Sequence, residues 1–307
     1  MSEEKLSAWQ QYKKNLGSTR PWDLLNPSVE HATDDEQARR MSICNNCPHL
    51  IDITKQCKKC GCVMPLKSKL LAATCPIGKW ESPKNLIIIP SRNRVANVER
   101  VVAAIKDTAI MSHIMIGLDD DNESIYPRLD GVIYEVNPRL RMNGTLNLLS
   151  TKYAHQYQTI TFMGDDHLPR TKAWDAILYK AIEERGLGFS YGNDLLQGEN
   201  LPTAVMMSTN IIKVLGFMAP PQLIHMFMDN FWKDAGNRLG ALFYFKDVII
   251  EHMHAYAGKA ELDEMYLSVN NEEVAGADGI AYGQYVQNSL DYDMSKIVDV
   301  MGSLSLS

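Results

Sequence analysis

The chain has 307 residues, of which 45% are hydrophobic and 22% are charged, as in ordinary globular proteins. No run of about 18 apolar residues occurs, so we expect no membrane span and no membrane partner. The polar start "MSEEKLSAWQQYKKN" also lacks the apolar core of a signal peptide, and we therefore expect a cytoplasmic protein.

The net charge of -6 is unevenly distributed along the chain. Residues 1–84 contain 13 Lys and Arg against 9 Asp and Glu, whereas the remainder contains 18 against 28. Seven of the lysines lie within residues 55–84. This local excess suits an anionic partner such as nucleic acid, although a solvated lysine face would have the same composition.

All the cysteines lie within 32 residues of the N-terminal segment 1–83, at Cys44, Cys47, Cys57, Cys60, Cys62 and Cys75. Two Cys-x-x-Cys pairs stand nine residues apart, which predicts a structural zinc module over about residues 40–80. An iron–sulfur cluster and disulfides are the alternatives, the latter disfavoured in a reducing compartment. One zinc ion needs four sulfur ligands, and the chain offers six. The spacing decides neither which four cysteines bind nor whether a second metal is present. Metal binding would supply the folding free energy of so small a segment.

From Asn85 onward, predicted strands and helices alternate. The apolar runs "NLIIIP", "HIMIGL", "GVIYEV" and "QTITFM" predict buried strands, and helical spacing in "VANVERVVAAIKD" and "GTLNLLSTKYAHQY" predicts helices. This alternation predicts the α/β class, with a mostly parallel sheet and helices on both faces. We place this domain at residues 84–258 and a C-terminal helical segment at 259–307.

Polar clusters follow three of the predicted strands, and ligands of such sheets bind at the carboxyl ends of the strands. Carboxylate and imidazole groups there predict Mn²⁺ or Mg²⁺ bridging two phosphates of a nucleotide sugar. The alternative for the third cluster is a cap on a helix beginning near Thr171. The clusters are Ser91-Arg92-Asn93-Arg94, Asp119-Asp120-Asp121 and Asp165-Asp166-His167.

Four stretches, "IIIPSRNRVANV", "IGLDDDN", "TFMGDDHLPR" and "IIEHMHAYAGKAELDEMY", resemble GT-A-fold glycosyltransferases of bacteriophage type, from about Lys84 to Tyr266. The cysteine block resembles a small module of phage proteins that brings no firm function with it. The resemblance implies a GT-A-like, Rossmann-like sheet, transfer of a sugar from a UDP-linked donor, and residence in the host cytoplasm if a phage encodes the chain.

The resemblance also implies roles for particular residues. The first strand's turn and the acidic second strand end would bind the nucleotide, and the N-terminus of the helix from 144 to 157 would point at a phosphate or the sugar. The expected nucleotide-binding residues are Pro90, Ser91, Arg92, Arg94, Asp119, Asp120, Asp121, Asn143 and Gly144. The expected metal ligands are Asp165, Asp166 and His167, completed by His252 or His254.

The Asp165-Asp166-His167 motif departs from the family's Asp-x-Asp pattern. The resemblance therefore does not decide which of these residues bind the metal. Either Asp165 and His167 bind the metal, or Asp166 does and His167 faces the acceptor. His252 and His254 stand two apart, so on a strand both would point the same way, one toward the metal and the other toward a phosphate.

Asp229, in "MFMDNFW", is the expected catalytic base, because burial among apolar neighbours would raise its pKa. Asp194 and Glu199 are its rivals, and a helix N-cap is the alternative role. Asp166 is the second expected catalytic residue. A base would make the reaction inverting, and without one a retaining route is open. Nearby aromatic residues, Phe231 and Trp232, suit either stacking or core packing, and Asp263 and Tyr266 are expected to close over the donor.

Several acceptors fit these patterns. One hypothesis is a hydroxymethylated pyrimidine in phage DNA, flipped into the cavity while lysines of the zinc module hold phosphates. The alternatives are a glycan or protein acceptor, or a non-catalytic GT-A-like binding and assembly protein. A nucleotidyltransferase would favour a Gly-rich first turn, which "PSRNR" lacks.

Overall fold

The structure is a computed structural model that describes residues 19–26, 29, 31–80, 84–259, 267 and 271–304. Asp263 and Tyr266 lie outside the described residues. The chain divides into two compact units, residues 1–82 and 83–307. No helix of the described part is long and apolar enough to cross a bilayer.

The first unit is built from short elements around a small core. A two-stranded antiparallel hairpin pairs Leu50 with Cys57. The apolar core of the first unit contains cysteines, aliphatic side chains and the buried ring of Trp80. The elements are a 3-10 helix Pro21–Leu25, helices α1 (Asp34–Asn45) and α2 (Met64–Lys67), and strands β1 (Leu50–Ile51) and β2 (Gln56–Cys57).

An eight-stranded sheet forms the centre of the second unit, in the order β5-β4-β3-β6-β9-β8-β10-β7. Its strands are β3 (Asn85–Ser91), β4 (Ser112–Asp119), β5 (Val132–Asn137), β6 (Thr159–Phe162), β7 (His167–Pro169), β8 (Phe189–Asn193), β9 (Val205–Ser208) and β10 (Leu242–His252). Six strands run in one direction, while β9 and β7 run against them. The run "LIII" is fully buried, as expected for a strand covered on both faces.

Helices cover both faces of this sheet. Alternate residues of β3 enter two different cores: Ile87 and Ile89 pack with α3 and α5, whereas Leu86 and Ile88 pack with the other helices. The helices are α3 (Val95–Thr108), α4 (Arg141–Tyr153), α5 (Trp174–Arg185), α6 (Thr209–Leu215), α7 (Met228–Arg238), α8 (Glu272–Asn288) and α9 (Leu290–Leu304). The predicted α/β class, a mostly parallel sheet with helices on both faces, is confirmed.

The bounds of one helix differ from the sequence-based expectation. The helix expected over residues 144–157 begins at Arg141 and ends at Tyr153, after which a turn closes by a bond from Gln156 N to Tyr153 O. The C-terminal helices α8 and α9 contribute to the core of the second unit, through side chains such as Tyr285 and Leu290.

Candidate active site

A cavity of about 420 Å³ opens at the carboxyl ends of β3, β4 and β6. Its walls come from the strand ends, the start of α4, the segment before α7 and the end of β10. The predicted site residues that line it are Pro90, Ser91, Arg92, Arg94, Asp119, Asp165, Asp166, His167, Asp229, His252 and His254. Asp120, Asp121, Asn143 and Gly144 are not among its lining residues.

Three of these side chains form one compact cluster: Asp166, His167 and His252. One ligand atom from each lies within 4.8 Å of the other two. His167 Nδ1 is 3.3 Å from Asp166 Oδ1, and His252 Nε2 is 3.6 Å from Asp166 Oδ2. The two imidazole rings stack with centroids 4.1 Å apart.

The cluster depends on the antiparallel pairing of β7 with β10. In this register His167 lies directly opposite His252, so their side chains are cross-strand neighbours. Met253 N donates to the backbone carbonyl of Asp166 at 2.8 Å and extends the pairing to that residue. Gly164 leaves the space that the cluster needs, because a Cβ there would lie 2.7 Å from Asp166 Oδ1 and 2.8 Å from His167 Nδ1.

Polar atoms of the cluster are buried without partners. Within the described residues, neither ring nitrogen of His167 nor Nδ1 of His252 has a hydrogen-bond partner. Buried polar atoms are normally satisfied, and each exception calls for an explanation such as an ion. One carboxylate and two imidazoles form a donor set that divalent transition metals accept. The residues present therefore fit a metal ion.

Ionisation of the cluster favours the same role. Burial acts to raise the pKa of Asp166, but the neighbouring imidazoles of His167 and His252 hold that pKa well below its usual range. Burial, with the charge of His167 adding to it, lowers the pKa of His252. An ionised Asp166 carboxylate and a neutral His252 imidazole are the protonation states in which these side chains bind a metal.

His254 lies at the edge of this cluster. Its ring meets that of His252 edge-on, with centroids 4.8 Å apart, and it lines the cavity. Burial lowers the pKa of His254. The side chain of His254 therefore faces the cavity next to the cluster. It does not belong to the three side chains whose ligand atoms lie within 4.8 Å of one another.

Asp165, the neighbour of the cluster in sequence, belongs to a different set of contacts. Ser91 Oγ donates to Asp165 Oδ2 at 2.6 Å, and Arg94 donates to Asp165 Oδ1 at 3.1 Å. Burial, together with the charge of Asp166, raises the pKa of Asp165 to about 6. Asp165 thus ties the turn after β3 to the end of β6, while Asp166 faces the two imidazoles.

The turn after β3 is held by residues that the sequence analysis missed. Tyr126 OH lies 3.1 Å from Ser91 Oγ and accepts from Arg94 N at 3.1 Å. Asn122 Oδ1 accepts from the backbone of Asn93, which adopts a φ of 58°. Both Asn122 and Tyr126 follow the acidic cluster closely, so their proximity to a predicted strand end was the available signal.

Arg92 connects this turn to the end of β4. It donates to Asp119 Oδ2 at 2.8 Å and pairs with both carboxylate oxygens of Asp121. Asp119 is buried and lines the cavity, whereas Asp120 and Asp121 are exposed. The acidic triplet therefore presents a single carboxylate to the cavity.

At the start of α4 the structure replaces the expected phosphate contacts with others. The Asn143 amide is buried and donates to the carbonyls of Pro220 and Leu223, both at 2.8 Å. Arg139 and Arg141 line the cavity instead, and neither guanidinium forms a hydrogen bond or salt bridge with another described residue. The sequence offered one signal for these cavity residues: two arginines stand next to the start of a predicted helix.

Asp229 lies in the first turn of α7 and lines the cavity. The N-cap position belongs to Phe227, with a φ of 63°, so the capping alternative for Asp229 does not hold. Its Oδ1 accepts from Asn230 N, and burial raises the pKa of the carboxyl. Its neighbours Phe231 and Trp232 are core residues, 0% and 1% exposed, although the Trp232 ring forms part of the cavity floor.

The two rivals for the role of base lie outside the lining residues. Asp194 accepts backbone N–H groups of Leu196, Gln197 and Gly198, together with the Thr203 hydroxyl. These bonds lower its pKa, against the effect of burial. Glu199 is exposed.

None of the six cysteines of the first unit forms a disulfide. Five of them line one small apolar cavity, together with Lys67 and Trp80: Cys44, Cys47, Cys57, Cys60 and Cys75. Cys62 is the exception, and its Sγ lies 3.4 Å from the carbonyl oxygen of Cys60, to which it donates.

Comparisons with known proteins give structural similarities alone. No family model and no curated protein matches the chain. A mannosyltransferase from Pyrobaculum calidifontis, solved with GDP-Man and Mn²⁺, is 11% identical with a TM-score of 0.43, over 74% of this chain and 76% of that one. S. aureus TarS 1-349 is also 11% identical, with a TM-score of 0.41, over 67% and 72%. Drosophila galactosyltransferase 7, in a mutant form with manganese, UDP-Gal and xylobiose, is 15% identical with a TM-score of 0.33, over 61% and 79%.

Proposed function

We propose that this protein is a metal-dependent glycosyltransferase that takes its sugar from a nucleoside diphosphate donor. The observation that carries the proposal is the Asp166–His167–His252 cluster, which contains imidazole nitrogens without a hydrogen bond among the described residues. Its cavity is also lined by Arg139 and Arg141, which form no salt bridge with another described residue. A cation site next to free guanidinium groups suits a diphosphate. The position at the carboxyl ends of parallel strands suits a nucleotide.

The proposed metal ligands are Asp166, His167 and His252, with His254 available beside them. Two imidazoles favour Mn²⁺ over Mg²⁺, which prefers oxygen ligands alone. When bound, such an ion would neutralise charge that develops on the departing diphosphate. Asp165 supports this arrangement by holding Ser91 and Arg94 in place.

The proposed nucleotide site lies at the ends of β3 and β4. Asp119 offers a buried carboxylate that would accept hydrogen bonds from a ribose or from uracil, and its bridge to Arg92 fixes its orientation. Pro90 and Ser91 line the same wall. We propose UDP as the nucleotide, and a donor screen decides between UDP and GDP.

Arginines are the proposed diphosphate ligands. Arg92 and Arg94 are paired with carboxylates, which leaves Arg139 and Arg141 as the guanidinium groups of the cavity rim without an ion-pair partner among the described residues. Guanidinium groups bind phosphate oxygens with two parallel hydrogen bonds. The two arginines thus take the role that the sequence analysis gave to Asn143 and Gly144.

Asp229 is the proposed general base. Its carboxylate faces the cavity from the first turn of α7, and its raised pKa brings the group nearer to the operating pH. It would take the proton of an acceptor hydroxyl as that oxygen attacks the anomeric carbon. Attack from the side opposite the diphosphate inverts the configuration of that carbon.

For the acceptor we propose a hydroxymethylated pyrimidine of DNA. Exposed lysines of the first unit support this choice, because basic side chains contact DNA phosphates: Lys58, Lys59, Lys69 and Lys79. DNA that contains hydroxymethylated pyrimidines should therefore accept radiolabelled sugar, and the amount of sugar transferred should fall steeply as the salt concentration rises. Transfer to a glycan or a protein but not to DNA would reject this acceptor.

The experiment that tests the function measures release of nucleoside diphosphate from a panel of nucleotide sugars with Mn²⁺. We expect slow hydrolysis of one donor by the wild type and its loss in Asp166→Asn. Asp120→Asn is the matched control, since this exposed neighbouring carboxylate does not line the cavity. Full Mn²⁺-dependent hydrolysis by Asp166→Asn would reject the site. Donor binding without any turnover would indicate a non-catalytic binding protein.

A further inference from the structure

We propose that the first unit holds one metal ion in an anionic, all-sulfur site, and that Lys67 is the buried counter-charge of that site. The sulfurs are supplied by four of the five cysteines that line one cavity, and Cys62 is not a ligand. This site is separate from the proposed catalytic metal and does not depend on the proposed function.

The cavity has the chemistry of a closed structural metal site. Five thiols face it, from three different stretches of the unit. Three backbone turns present the sulfurs: Cys47 N donates to Cys44 O at 3.0 Å, Gly61 N to Cys57 O at 2.7 Å and Gly78 N to Cys75 O at 3.0 Å. Gly61 and Gly78 have φ values of 68° and 72°, which favour glycine. Such turns aim sulfurs at a common point.

Lys67 is the observation that indicates the charge of the site. The residue is 5% exposed and lines the same cavity. Its Nζ meets no hydrogen-bond geometry with another described residue, and it interacts electrostatically with the thiols of Cys60 and Cys62. A buried ammonium group is costly unless a negative charge offsets it. Neutral thiols and disulfides carry no charge, whereas a divalent ion with four thiolates carries a net charge of -2. Lys67 thus fits a metal thiolate and fits neither alternative.

A second contact points to a thiolate at Cys44. Trp80 Nε1 donates to Cys44 Sγ at 3.2 Å, and both residues are buried. Hydrogen bonds from outside the ligand sphere orient metal-bound sulfur and stabilise its charge. Arg40, which pairs with Glu36 at 2.6 Å, lies over the Trp80 ring at 5.2 Å and helps to fix its position.

Metal binding should draw the sulfurs together. Among the described residues, no three cysteine sulfurs lie within 4.8 Å of one another. Tetrahedral zinc with bonds of about 2.3 Å brings its sulfurs to about 3.8 Å apart. We therefore expect folding of this unit to be coupled to metal binding.

The first experiment counts the metal on full-length protein by inductively coupled plasma mass spectrometry. We expect one zinc per chain that persists in Asp166→Asn, is lost in Cys44→Ser and is kept in Cys62→Ser. The absence of bound metal, or its loss in Cys62→Ser, would overturn the proposal.

The second experiment measures the rate at which a chelator removes zinc. Lys67→Met should release zinc at least 10-fold faster, whereas Lys67→Arg should stay near the wild type because it keeps the charge. Lys69→Met is the matched control, an exposed lysine two residues away. If Lys67→Met releases zinc no faster than Lys69→Met, Lys67 is not a counter-charge. Replacing an uncompensated buried lysine by Met would instead stabilise the unit.

Discussion

At the scale of single residues, neighbouring carboxylates in this protein have different roles because their surroundings differ. Asp165 and Asp166 are adjacent, yet one faces a hydroxyl and a guanidinium group while the other faces two imidazoles. The pKa of the first is raised and that of the second is lowered. Opposite pKa shifts in paired groups are typical of functional sites.

The role of Asp229 can be tested at this scale. Asp229→Asn should lower kcat about 100-fold or more, because the amide cannot accept the acceptor's proton. Donor binding should persist, as measured by the thermal shift with Mn²⁺ and nucleotide sugar. Since burial raises the pKa of Asp229, wild-type activity should fall as the pH falls through that pKa. Glu199→Gln, at an exposed rival position, is the control, and an unchanged kcat in Asp229→Asn would point to a retaining route.

His225 predicts a pH dependence of stability. Burial lowers its pKa to about 4, from an ordinary value near 6.5. The unfolded chain therefore binds a proton at this position between pH 6.5 and 4 while the folded chain does not. The contribution of neutral His225 to the free energy of unfolding is fully present above pH 6.5. It is lost as the pH falls toward 4, and the loss is at most about 3 kcal/mol.

His225→Gln should flatten this part of the stability curve. Urea unfolding of both proteins at several pH values between 4 and 7 measures the difference, in which the contribution of the carboxylates cancels. Parallel curves for the variant and the wild type would show that His225 titrates normally in the folded protein.

At the scale of elements, the segment between α6 and α7 lines the cavity without regular structure of its own. Polar side chains of two helices, the half-buried Asn147 and the buried Asp278, fix this segment. Asn147 of α4 accepts from Met218 N and Ala219 N and donates to the Ala219 carbonyl. Asp278 of α8 accepts from three successive backbone N–H groups, those of Ile224, His225 and Met226, at 2.7–2.9 Å. A loop held in this way is positioned before a substrate binds.

Asp278 should therefore matter for stability and for the site together. Asp278→Ala leaves three half-buried backbone donors without an acceptor and should cost about 3 kcal/mol. It should also raise the KM for acceptor more than the KM for donor, since the loop forms the wall near Asp229. Asp291→Ala, which breaks an exposed bridge to Arg238, should cost at most about 1 kcal/mol. Equal losses of stability in both variants would contradict this role.

At the scale of the whole molecule, the two units have separate cores and separate proposed metals. The second unit has a large core on each face of its sheet, whereas the core of the first has seven buried apolar side chains among the described residues. So small a core normally needs a metal or another cross-link. The stability of the first unit should thus follow zinc, and that of the second should not.

Trp80→Ala tests this separation. Loss of a ring that is 3% exposed should destabilise the first unit by about 3–5 kcal/mol. The thermal shift that Mn²⁺ produces in the second unit should be unchanged, because the two units have separate cores and independent sites contribute additively. Differential scanning calorimetry with and without Mn²⁺ measures both effects. Loss of the Mn²⁺ shift in Trp80→Ala would mean that the units are energetically coupled.

The amino-acid sequence by itself determined the local elements and the edge of the sheet at which chemistry is expected. Apolar runs such as "NLIIIP" bury on both faces wherever they pair, and helical spacing marks α3 within one residue of its observed end. Local patterns also placed Asp119, Asp166 and Asp229 next to elements that converge. These features depend on neighbours a few residues apart, which the sequence displays directly.

Only the tertiary structure decided which side chains meet. The three-residue strand β7 contains a proline and has no visible period, yet its register on β10 brings His167 opposite His252 across 85 positions of the chain. Long-range contacts also decide that Asn143 binds the carbonyls of Pro220 and Leu223 and does not face the cavity. Arg139 and Arg141 line the cavity in its place. Pairing register and loop contacts arise from the packing of distant segments, so no local pattern could specify them.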